Sequence, residues 1–227
     1  MAKKPAKKND QPQDPMGNRP NYVSEQDYDM PEQESSFYPR IKVMQALSPE
    51  LDDTNEKFIP GASTGQILVE TNPPTLVESI DVIPLIVKKR YAEFTPRKQG
   101  GGFVASYDSR EEMEAGFSPG NDMQVVIEYL VLAIELEQVF VVPFQSATAL
   151  GVAKKWGNFV EQYKTLNGVM YKISSKTAKN KASQSYKVMT VEPIGWTAKQ
   201  LFHDTEALMG QEEMKFLSAP EEEESEV

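Results

Sequence analysis

Apolar residues fall in short alternating runs through the middle of the chain, and only one long stretch has helical spacing. From Tyr38 the text IKVMQAL predicts a first strand, ended by Ser48-Pro49 and a polar stretch to Pro60-Gly61 that reads as turn or loop. Residues 66–70 predict a short strand closed by Asn72-Pro73-Pro74. Residues 79–94 carry the β-branched run Ile80, Val82, Ile83, Ile86 and Val87, in which Pro84 implies an edge or a bulge. The triple glycine 100–102 separates this run from residues 103–107, so the simplest local structure is a hairpin. Residues 123–142 are the strongest strand signal, folding back near Glu137-Gln138, and they predict the centre of the core.

After Pro143 the period changes. Ala149, Val152, Ala153, Trp156, Val160 and Tyr163 share one helical face, opposite Lys154, Lys155, Asn158, Glu161 and Gln162, with Ser146 or Thr148 as the cap. Residues 169–173 and 186–192 form a further strand pair around a Lys- and Ser-rich link. Thr197 is placed to cap a last helix with Leu201, Phe202, Thr205 and Leu208 on one stripe, stopping at Gly210. Many short strands with two modest helices imply a β-rich fold, all-β to α+β, of the small OB-like barrel kind with peripheral helices. The expected organisation is a disordered tail over 1–37, one domain over 38–209, and a disordered acidic tail over 210–227. Residues 1–37 are too poor in branched apolar residues to offset the entropy of ordering, and the end after Gly210 has one small apolar cluster, Met214, Phe216 and Leu217, and is expected to be disordered unless something binds it.

Charge sharpens this division. The formal charge is −10. Residues 200–227 hold nine acids against Lys215 alone, and residues 1–37 hold seven acids and five bases, so residues 38–199 are neutral with eighteen charges of each sign. Within that neutral part the bases gather at Lys88, Lys89, Arg90, Arg97 and Lys98, and again from Lys154 to Lys199. The longest apolar run is too short and too polar to span a bilayer, and no signal peptide is recognisable, so a cytoplasmic setting without membrane contact is expected.

Catalytic chemistry finds little footing. With no cysteine and a single histidine, His203, thiolate sites, disulfides and multi-histidine metal sites are excluded. Asp52-Asp53 and Glu111-Glu112 have no partner acid on a recognisable scaffold, and the glycines lack the Lys-Ser or Lys-Thr of a phosphate loop. The expectation is therefore a non-enzyme with no cofactor and no metal. What remains is the interleaving of bases with aromatics. Unpaired nucleic acid is held where cations meet phosphates and ring faces meet bases, so Lys88, Lys89, Arg90, Arg97, Lys98, Lys154, Lys155 and Lys172 are candidates for the first role. Tyr91, Phe94, Phe103 and Tyr107 are candidates for the second. The competing reading is that the aromatics alternate inward as core and the lysines only solubilise an edge strand.

The segments PRIKVMQALSPEL (39–51), IPGASTGQI (59–67), VIPLIVKKRYAEFTPRKQGGGFV (82–104) and PFQSATALGVAKKW (143–156) resemble a family of phage-encoded single-stranded DNA-binding proteins, over about residues 39–205. The resemblance implies an OB-like barrel that coats single strands without sequence preference in phage replication, recombination or repair, inside the infected bacterial cell. It also implies an acidic tail, here Glu221, Glu222, Glu223, Glu224, Glu226 and Val227, that contacts phage or host replication and recombination proteins. Such a tail can compete with DNA for the basic face. A homo-oligomer is compatible with this, and a virion structural or assembly protein is the alternative. The acidic stretch 107–122 is not what a uniformly cationic channel would carry.

Overall fold

The computed structural model describes residues 16–23, 38–179 and 183–217. Its main sheet is antiparallel throughout and is organised on one long strand, β4 (Ser79–Thr95). Along one edge β4 pairs with β6 (Asp122–Ala133), which turns back into β7 (Gln138–Phe144). The turn between them uses Glu137 at φ 51, close to where the sequence places the reversal. The other edge of β4 is shared: β8 (Val169–Lys179) pairs with Ser79 to Val82, and β5 (Gly102–Tyr107) pairs with Tyr91 to Thr95. β8 continues into a long hairpin with β9 (Ser185–Trp196). The register of β4 slips between Pro84 and Ile86, so the proline is accommodated as a bulge inside a paired strand, because it lacks the N–H a regular ladder needs.

A second, three-stranded sheet is formed by β1 (Ile41–Val43), β2 (Ile67–Val69) and β3 (Thr75–Val77). It lies between the two outer strands of the main sheet. Val141 on β7 donates to Pro39 O at 2.8 Å, and the Gln45 side chain meets the Lys187 backbone on β9. These contacts stand where a barrel would close, yet no continuous ladder does so among the described residues, and the fold is β-rich and antiparallel without a closed barrel.

Two apolar layers hold the sheet. On one face lies α2 (Ala147–Tyr163), whose Trp156 stacks on Tyr129 with centroids 4.1 Å apart and meets Phe144 edge-on at 6.2 Å. Ser146 caps this helix by accepting from Ala149 N–H. On the other face, Ile83, Leu85, Ile86, Leu130, Leu132 and Val141 pack against Leu201, Leu208 and Met209 of α3 (Lys199–Leu217). Burial on both faces is why β4, β6 and β7 read as near-continuous apolar runs. A short helix, α1 (Arg110–Gly116), follows β5 and is capped by Ser109.

Two boundaries differ from the sequence expectation. α3 passes through Gly210 to Leu217, since one glycine costs a helix only about 1 kcal/mol against alanine and good helix formers follow it. Thr197 does not cap α3 by its side chain; its hydroxyl donates instead to Asn167 O at 2.8 Å. Within the first 37 residues, 16–23 form a strap on the body. Trp196 Nε1 donates to Met16 O, Arg19 donates to Tyr163 O, and Tyr22 donates to Thr197 O. Gly168 makes room for it, because a Cβ there would stand 2.5 Å from Val23 Cγ1. Residues 1–15, 24–37 and 218–227, with the remaining tail expectations, lie outside the described residues.

Candidate nucleic-acid interface

The basic run that opens the candidate list divides in two. Its first half is interior. Lys88 is 0% exposed and stands opposite Glu128 in the β4–β6 register, with Nζ 4.0 Å from Asp108 Oδ1. Arg90, two positions on and on the same face, donates from Nε and Nη2 to the two Glu128 oxygens at 3.1 and 2.9 Å, and from Nη1 to Ser106 Oγ at 2.8 Å. Glu128 is itself buried. Lys88 therefore cannot reach a phosphate, and Arg90 is held by an acid in a fork that fixes the guanidinium. Both are corrections to the sequence reading, and the cause is Glu128, distant in the chain, which only strand pairing brings opposite Lys88 and beside Arg90.

The opposite face of the same strand end is also occupied. Tyr91 is 6% exposed, with half-buried Lys89 5.0 Å over its ring, so Tyr91 is core and does not offer a face to a base. Tyr107 donates its hydroxyl to Glu93. That carboxylate, fully buried, also accepts from Ser118 N–H at 3.1 Å and from Asn121 Nδ2. The Tyr107 hydrogen bond, with those of Asn121 and Ser118, outweighs burial and holds the Glu93 carboxyl below its ordinary range, while Glu93 pushes the Tyr107 hydroxyl up. Tyr107 is thus a structural partner, and the acidic stretch 107–122 is folded over Glu93.

The second half of the run is open. Phe103 is 62% exposed and meets half-buried Phe94 edge-on, centroids 5.9 Å apart. Beside them is an open cleft of ≈ 730 Å³ lined by Phe94, Thr95, Pro96, exposed Lys98, Gly101, Gly102, Asp122, Gln124, Gln145 and Ser146. The β4–β5 turn builds one wall, the start of β6 the second, and the link from β7 to α2 the third. The backbone of Arg97 sits in this turn, but its side chain lies outside the described residues. Sequence reasoning named Phe94, Lys98 and Phe103. It missed Gln124 and Gln145, whose approach depends on the pairing of Ile127 with Phe144 and leaves no local signal.

Lys154, Lys155 and Lys172 are exposed but do not line this cleft. Lys155 lies 5.2 Å over the Phe159 ring and reaches Val191 O at 3.5 Å; Lys172 pairs with Asp81 at 3.6 Å. Lys154 makes no ion pair among the described residues. His203 is engaged with Glu206 on α3. The tail residues Glu221, Glu222, Glu223, Glu224, Glu226 and Val227 lie outside the described residues. No cluster of three or more potential metal ligands occurs among the described residues, and no described helix is long and apolar enough to cross a membrane.

No curated protein and no solved structure gives a significant match to this chain. One family does: the sequence profile described as Pam3 phage gp34-like protein matches residues 13–215, which takes in the strap, both sheets and most of α3. By that match the chain belongs to the Pam3 phage gp34-like protein family, and it is a phage protein.

Proposed function

We propose that the protein binds single-stranded DNA without sequence preference and without catalysing a reaction on it, in the replication, recombination or repair of a phage genome. The observation that carries this reading is a solvent-facing aromatic, Phe103, set edge-on to Phe94, which lines an open cleft together with Lys98. An exposed ring near a cation offers a face on which an unpaired base can stack, and the base is attached to an anion that Lys98 can meet. Gln124, Gln145 and Thr95 add hydrogen-bonding groups of the uncharged kind, and Asp122 keeps the cleft from being uniformly cationic.

In this reading the acidic end, Glu221 to Val227, recruits replication or recombination proteins and competes with DNA for the open cations. Because α3 runs to Leu217, the truncation that isolates this effect removes 218–227 and leaves the helix whole.

The test is fluorescence anisotropy of a labelled strand of about 30 nucleotides, well above the ~4–16 covered by one such fold, against its duplex and across a salt series. Salt-sensitive binding that favours the single strand supports the proposal. Absence of binding at low salt removes it, and particles or fibres on sizing would then favour a virion assembly role.

A further inference from the structure

A further cavity adjoins this cleft. It measures ≈ 320 Å³ and is lined by residues of β1, β7, the start of α2 and β9, among them Tyr186, Lys187 and Met189. Ser146, the cap of α2, lines both cavities, so the two meet at the α2 N-terminus. Three of the sequence segments singled out at the start, which the cleft at Phe103 leaves largely unexplained, meet here: Gln45 from the first, Gly65 from the second, and Phe144 with Ser146 from the fourth.

What they build is a seat for Lys187. The Gln45 side chain clamps its backbone from both directions, Nε2 donating to Lys187 O at 2.9 Å and Oε1 accepting from Lys187 N–H at 3.3 Å. Gly65, at φ +98, lies under the lysine stem, where a Cβ would stand 2.7 Å from Lys187 Cε. Ser175 Oγ in turn donates to Gly65 O and ties that loop to β8. The neighbouring cation, Lys42, is already held by Glu50 at 2.9 Å and Glu70 at 3.0 Å. Lys187 Nζ makes no ion pair among the described residues. A lysine with a fixed backbone and a seated stem, beside a cavity that Tyr186 also lines, is arranged to meet an anion attached to a flat, partly apolar group.

We propose that this cavity is a second nucleotide subsite on the same single-strand path, Lys187 meeting a backbone phosphate and Tyr186 receiving a base, with the strand crossing at Ser146 between the two cavities. The inference rests on the single-strand reading above and extends it from one contact to a track.

The test uses the full chain and an oligothymidine of about 30 nucleotides. Lys187→Gln is expected to raise Kd roughly 3- to 10-fold and to lower the slope of log K against log salt by about 0.7, the share of one phosphate on a single strand. The double variant with Phe103→Ala should multiply the two losses. A strand carrying 5-iododeoxyuridine should also crosslink in the wild-type protein to the peptide bearing Tyr186, a readout that no misfolded variant can imitate. If Lys187→Gln keeps the wild-type Kd and slope and the crosslink is absent while Phe103→Ala weakens binding, the second subsite is wrong and the single-strand reading stands. If the wild-type protein does not bind the strand at all, both fall together.

Discussion

Lys88 and Lys98 are ten positions apart in one basic, aromatic-rich stretch, and the fold gives them opposite tasks. Lys88 is sealed beneath the surface, opposite Glu128 and near Asp108, in a network completed by Arg90 and Ser106. Lys98 stands in solvent at the end of the same strand, where the ladder has run out and no acid faces it across a register. The difference is not in residue type or local pattern but in what the neighbouring strand presents. A cation set against a buried acid becomes internal structure, and a cation beyond the last paired residue becomes available surface.

This contrast can be broken first at Lys88. Lys88→Ala removes the buried cation beside Asp108 and leaves a cavity where its stem packed, and should cost about 2–5 kcal/mol, lowering the melting temperature by roughly 4–20 °C. A variant that melts with the wild type would show that the network is dispensable. For the same reason, replacing Lys88, Lys89 and Arg90 together tests folding before it tests DNA binding. Next comes Phe103→Ala, which should leave the melting curve within about 0.5 kcal/mol of wild type yet weaken single-strand binding by about 1–3 kcal/mol, roughly 5- to 150-fold, in anisotropy titrations. A loss of stability without a loss of affinity would reverse the assignment of that ring. Lys98→Ala is a smaller change: melting should not move, and the salt slope should fall by about 0.7.

The last effect lies on the acid side. Glu93 has a folded-state pKa below its unfolded value, so its contribution is complete above that unfolded value, about 4.3, and is lost as pH falls through the lower folded value. Glu93→Gln should therefore lower stability at neutral pH and flatten the loss between about pH 4.5 and the acid end, measured by urea melts at several pH values.

Features written in short-range pattern were legible in the sequence. The Trp156 helix, the reversal at Glu137 and the long strand broken at Pro84 follow from period, turn chemistry and a missing N–H, and all three are present. Features that depend on register were not. Nothing near Lys88 announces Glu128, and nothing near Gln45 announces Lys187, which is 142 residues away. α1 was missed despite a usable local signal, the Ser109-x-x-Glu112 pattern of a capping box, in which Ser109 Oγ accepts from Glu112 N–H at 3.0 Å. The strap was missed because eight residues of mixed polarity carry no period, and their anchor, Gly168, matters only for the side chain it lacks.

That strap also sets an order of events in time. Met16 and its partner Trp196 are separated by 180 residues, so the first described part of the body to leave the ribosome seats on the last described strand to be made. At ~5–20 residues per second the segment waits roughly 10–40 s for its site to exist. Trp196 and Phe202 therefore emerge with their cover already made, and docking of the oldest residues is the step that finishes the youngest surface.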